Sequence, residues 1–121
     1  MRLERVLLNL LRLAAGLQVV GGVALWSGHG LQYLAVHMEV GVAFVLLLWA
    51  LSVTALVRRV SPGLAVFAIV WGVVIAGFGM SQQRLLPGDL HWIVRVLHLI
   101  VGLAAMPIAE RLAKTPPAPA A

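Results

Sequence analysis

Three residues near the start of one apolar stretch carry the first chemical hint. In Asp89–Ala113, DLHWIVRVLHLIVGLAAMPIAERLA, the residues His91, Arg95 and His98 stand at i, i+4 and i+7. On a helix that spacing sets them in one stripe on one face. Gly102, four residues after His98, extends the stripe. In a bilayer core such groups are costly, so the stripe is expected to face protein, water or a ligand. An earlier stretch answers it. His37-Met-Glu-Val-Gly-Val-Ala and His98-Leu-Ile-Val-Gly-Leu-Ala share the pattern His-x-x-x-Gly-x-Ala. A glycine one turn after each histidine leaves room for a flat ligand against the helix.

The elements that must position these residues follow from composition. Of 121 residues, 62% are hydrophobic and 11% are charged, too few polar groups to clothe a soluble domain. Four apolar runs stand out, about residues 6–26, 31–57, 64–80 and 90–112. Each is near the roughly 20 residues that span a bilayer as a helix. Lipid offers no hydrogen-bond partners, so helices are the expected form. The chain reads as an all-α, multi-pass four-helix bundle over residues 1–113, followed by a Pro/Ala tail over 114–121 expected to be disordered. The shared histidine pattern also raises two related hairpins, 1–60 and 61–121, against chance in a sequence of low diversity.

The joints agree. Ser27-Gly28-His29-Gly30 is a glycine-rich break, Ser61-Pro62 sets a capping serine before proline, and Pro87-Gly88-Asp89 turns the chain with Asp89 as the expected cap. Pro107 is expected to kink or loosen the inner end of the fourth helix. Trp26, Trp49, Trp71 and Trp92 read as partly interfacial, with Trp26 and Trp92 in the outer aromatic belt. Gly72, Ala76, Gly77 and Gly79 read as plain close-packing positions of the third run.

Charge sets the orientation. Arg2, Arg5, Arg12, Arg58, Arg59, Arg111 and Lys114 share one side of a four-pass chain, which leaves Arg84 and Arg95 toward the other. By the positive-inside rule both termini are expected to be cytoplasmic, in a bacterial-type plasma membrane. The net charge is +5, yet the arginines end apolar runs and form no patch with aromatics, so no nucleic-acid partner is expected. The absence of cysteine excludes thiolate haem, zinc–thiolate and iron–sulfur sites. No phosphate-binding glycine loop, nucleophile elbow or carboxylate pair appears, so no catalytic residue is assigned.

The second and fourth runs cross in the same direction. His37 lies six residues after Leu31 and His98 eight after Leu90, roughly 9 and 12 Å deep at the helical rise. Two imidazoles at one level in a bundle suit axial ligation of a haem iron. Arg95, about 4.5 Å above His98 on the same face, and His91 one turn further out are placed to hold propionates. The plainer reading makes these histidines interhelical hydrogen-bonders, as the boundary positions of His29 and His91 favour.

Glu39 points some 200° around the helix from His37. It is expected to face another helix, where Gln18 is a candidate contact, or a partner subunit. Two readings stand: a proton or cation site, or an ion pair with Arg95.

A four-helix unit with His37 and the nearby Glu39 on its second helix, and His98 in VLHLIVGLAA on its fourth, resembles one half of the haem A synthase family. It is also similar to other membrane b-type cytochromes. Those synthases carry two such bundles, and their acidic residue precedes the histidine, whereas Glu39 follows His37. The resemblance therefore implies a haem b-binding bundle that transfers electrons, with a quinone or a larger redox complex as partner, and not synthase activity. A homodimer, a small non-redox transporter or channel using Glu39, and an accessory or assembly subunit are the other expectations.

Overall fold

The structure, a computed structural model, describes residues 2–117 and 119. Its helices are α1 (Leu3–Trp26), α2 (Leu34–Val57), α3 (Pro62–Ser81), α4 (His91–Leu103) and α5 (Ala105–Lys114), and among the described residues there is no strand. Short 3-10 turns over Leu31–Tyr33 and Gln82–Arg84 extend α2 and α3 at the end of the bundle away from the chain's start, labelled the outer end for its position in the bundle alone. Leu3–Trp26, Leu31–Val57, Pro62–Arg84 and His91–Lys114 are each long and apolar enough to cross a membrane. The surface agrees: Val57, Met80 and Val20 are among the most exposed side chains, at 78%, 73% and 70%. A soluble protein would bury such residues; a lipid-facing one displays them.

The fourth span is two helices because of one residue. Pro107 has no N–H to give the carbonyl of Leu103 and crowds it, so the helix breaks at Ala104, between α4 and α5. The two halves then pack differently. α5 nests among α1, α2 and α3, whereas the α4 backbone comes close to α1 and α3 at few points and to α2 at none among the described residues. Leu8, Leu11, Leu48, Leu51, Ala55, Ala105, Ala109 and Leu112 are all buried around α5. Its small residues permit that approach, which in lipid is stabilised by close van der Waals packing rather than by expulsion of water.

Two tryptophans expected at the interfaces are instead cross-struts. Trp49 donates its indole N–H to the Ile69 carbonyl at 3.0 Å, tying α2 to α3. Trp71 donates to the Val101 carbonyl at 3.0 Å, tying α3 to α4 just before the break. An indole N–H taken out of water needs a partner, and here backbone carbonyls of the neighbouring helices supply it. Gly72 makes the first strut possible, since a Cβ there would fall on the Trp49 indole nitrogen.

α1 and α2 end alike. Gly28 (φ 78°) and Arg59 (φ 55°) both take the left-handed conformation. His29 N–H then bonds Ala24 O at 3.1 Å, and Val60 N–H bonds Ala55 O at 2.8 Å, the six-to-one closure of a Schellman end. α3 starts with Pro62 after Ser61, whose side chain makes no capping bond. The cap of α4 is Leu90, not Asp89, again with no side-chain bond; His91 N–H bonds Gly88 O at 3.1 Å instead. Lys114, expected in the tail, closes α5 and pairs with Glu110. The expected tail residues Ala118, Ala120 and Ala121 lie outside the described residues.

Candidate functional site: an outer cavity between two histidines

Because the backbones of α2 and α4 do not approach each other among the described residues, a gap remains between them in the outer half. It is a cavity of about 280 Å³ with a largely apolar wall. His37 enters it from α2, and His98, Arg95 and His91 from α4. The four residues singled out by spacing thus line one space.

Each histidine is seated in the same way. A Cβ on Gly21 would lie 3.1 Å from His37 Nδ1, and one on Gly22 would lie 3.6 Å from its Cε1. On the other side, a Cβ on Gly79 would lie 3.3 Å from His98 Cε1. Both rings therefore rest their Nδ1–Cε1 edge on a glycine of the preceding helix. Phe78 packs on His98 with ring centroids 5.9 Å apart. Nδ1 of both rings is buried without a hydrogen-bond partner among the described residues. Leaving a polar group so costs about 1–3 kcal/mol. Among the described residues neither histidine makes an interhelical hydrogen bond.

The two following glycines differ. At Gly102 nothing lies within 4 Å of the position a Cβ would take, so the slot beside His98 is open. At Gly41 the Gln18 amide occupies the room, with Nε2 2.8 Å from where a Cβ would be. Gln18 Oε1 is buried without a partner among the described residues, and the side chain lines the cavity. A flat ligand thus has space on the His98 side and a polar neighbour on the His37 side.

The rim is polar. Arg95 and His91 stand there with Gln82 and Gln83 of the outer connector. His91 Nδ1 lies 3.1 Å from the Leu85 carbonyl, which ties it to that connector and not to another helix. His29 lies outside the cavity, its Nδ1 3.2 Å from Ser27 Oγ, so it too makes a local contact.

Glu39 is exposed on the outside of α2 and makes neither the expected pair with Arg95 nor a contact with Gln18 among the described hydrogen bonds and ion pairs. The 200° separation from His37 explains this, because His37 turned inward forces Glu39 outward. Gly22 in the cavity wall, Gly21 and Gly79 behind the histidine rings, and the place of Gln18 in the cavity rather than against Glu39 are what spacing alone missed. The adjacent pair Gly21-Gly22, at the outer end of the first run, was the available signal.

The donor set decides which metal groups could fit. Among the described residues no cluster of three or more His, Asp or Glu could hold a bare metal ion. Two imidazoles match the case in which a macrocycle such as haem supplies the remaining ligands. The fold and site thus define a four-span helical membrane protein with a two-histidine outer cavity. No protein-family model, curated protein or solved structure matches the chain.

Proposed function

We propose that the outer cavity binds haem b, with His37 and His98 as the residues that would hold its iron, and that the chain is a small b-type cytochrome-like protein of a bacterial-type plasma membrane. The observation that carries this reading is the shared seat of the two rings. Each is braced on glycine along its Nδ1–Cε1 edge, and both line one apolar space. When bound, haem supplies one-electron chemistry. The chain's own residues hold and shield it. The glycines let the rings approach the neighbouring helices, and the apolar wall excludes water. Arg95 and His91 on the rim offer cationic and hydrogen-bonding groups for propionates. Gln18 offers an amide at the wall beside His37. The electron partner is a membrane quinone or a larger redox complex. Seven basic residues at the end that bears the termini support a cytoplasmic side for that end.

The test is an absorption spectrum of the chain purified from haem-replete cells. A Soret band is expected, lost in His37→Ala and in His98→Ala while far-ultraviolet circular dichroism keeps its helical shape. A colourless wild-type protein, or a band unchanged in both variants, overturns the reading.

Among readings without haem, one observation favours an accessory subunit or a homodimer over a transporter. Glu39 faces outward and does not line the cavity, so it is poised to meet a neighbour in the membrane rather than a solute in this space. Copurification of a larger complex, lost in Glu39→Gln, would support that alternative.

A further inference from the structure

At the opposite end of the bundle, between the start of α1 and the end of α5, lies a cleft of about 360 Å³. Arg2, Arg5, Asn9 and Arg12 line it from α1, and Lys114 from α5. Arg5, Asn9 and Arg12 stand at i, i+4 and i+7, one stripe on one face of α1, and Arg2 precedes them at its N-cap.

The protein's own anions there are already committed. Glu110 is shared between Arg12, at 2.6 Å, and Lys114. Arg12 is further held by Asn9 Oδ1 at 3.1 Å. Glu4, the one acidic residue in the cleft wall among those described, is buried and turned to Arg58 at 3.3 Å. Arg2 and Arg5 have neither an ion pair nor a side-chain hydrogen bond among the described residues. The cleft therefore gathers four cations, two of them unanswered, where a membrane-spanning chain meets the headgroup layer.

We infer that this cleft binds a phosphate-bearing anion, supplied either by an anionic phospholipid headgroup or by free phosphate. Basic clefts at a membrane surface attract such groups, and each arginine near the surface contributes about fivefold in affinity. Arg2 and Arg5 are the recognising residues. Arg12 and Lys114, fixed by Glu110, form the back wall. This site is independent of the haem reading, since it lies at the other end of the bundle.

The test uses the full chain purified in neutral detergent. Bound lipid is counted by native mass spectrometry, and thermal unfolding is followed by circular dichroism. Phosphatidylglycerol, phosphatidylcholine and inorganic phosphate are each added in turn. Retention of phosphatidylglycerol with a raised Tm, and no effect of phosphatidylcholine or inorganic phosphate, assigns a lipid headgroup. An equal shift with inorganic phosphate assigns the free anion. In either case Arg2→Gln/Arg5→Gln should weaken binding roughly thirtyfold, whereas Arg84→Gln at the outer end should not. Both arginines are exposed and unpaired among the described residues, so the double variant should keep the wild-type helical spectrum and Tm without ligand. Equal binding of phosphatidylglycerol and phosphatidylcholine, or undiminished binding in the double variant, overturns the inference.

Discussion

The inner and outer halves of this bundle are made from similar apolar residues and behave in opposite ways. In the inner half α5 fills the space between α1, α2 and α3, and Ala105, Ala109 and Leu112 are buried. In the outer half α4 leans on its neighbours lightly, with Val94 its one buried residue among those described. Pro107 separates the two regimes, because the break it imposes lets α5 dock without dragging α4 in after it. The difference teaches that a cavity in a small membrane bundle needs no exotic sequence. It needs one helix that is packed at one end and released at the other.

That contrast can be tested by truncating side chains in each half. Leu112→Ala empties a fully buried inner position and should destabilise the fold by about 2–5 kcal/mol. Leu99→Ala, on the partly open wall of the outer cavity, should change stability by no more than about 0.5 kcal/mol. Reversible unfolding in mixed micelles measures both. Equal losses would mean that the halves are packed alike.

The middle of the bundle is sensitive for another reason. Gly72→Ala drives a methyl into the Trp49 indole and breaks its bond to Ile69 O. The expected cost is about 1–3 kcal/mol, with a shift in tryptophan fluorescence. Gly102→Ala is the outer counterpart. Nothing within 4 Å opposes the new methyl, so stability should hold or rise by up to about 1 kcal/mol. The methyl does project into the slot beside His98, so the proposed Soret band should weaken or move. Stability and ligand binding then change in opposite directions, which a simple packing role for Gly102 does not produce.

The smallest effect concerns the two Schellman ends. Gly28 adopts a positive φ at little cost, but Arg59 does so with a Cβ. Arg59→Gly should therefore raise stability by up to about 1 kcal/mol, partly offset by the freer unfolded chain. No gain in unfolding midpoint would mean that the arginine's own contacts compensate the strain.

Much of the fold was legible in the chain, and the residues show why. The apolar runs had to be helices because lipid cannot hydrogen-bond a bare backbone, and Pro107 had to kink or loosen the last one. The placement of His37, His98, Arg95 and His91 around one space agrees with their helical spacing. Other features were not legible. Trp49 and Trp71 looked interfacial because composition says nothing of the carbonyls they reach. Gly79 looked like a packing residue because its neighbour, His98, comes from another helix. The pairing of Glu39 with Arg95 failed because equal depth does not mean facing sides.

Periodicity and hydropathy by themselves determined the number of spans, their alternating direction and which residues share a helical face, since these depend on one helix at a time. Tertiary packing alone decided that α2 and α4 stand apart, that Gln18 fills the room at Gly41 while Gly102 stays open, and that Glu39 looks outward. Those outcomes depend on how helices rotate against one another. That rotation is set by where small residues allow close approach, a property of pairs of helices that no single stretch of sequence records.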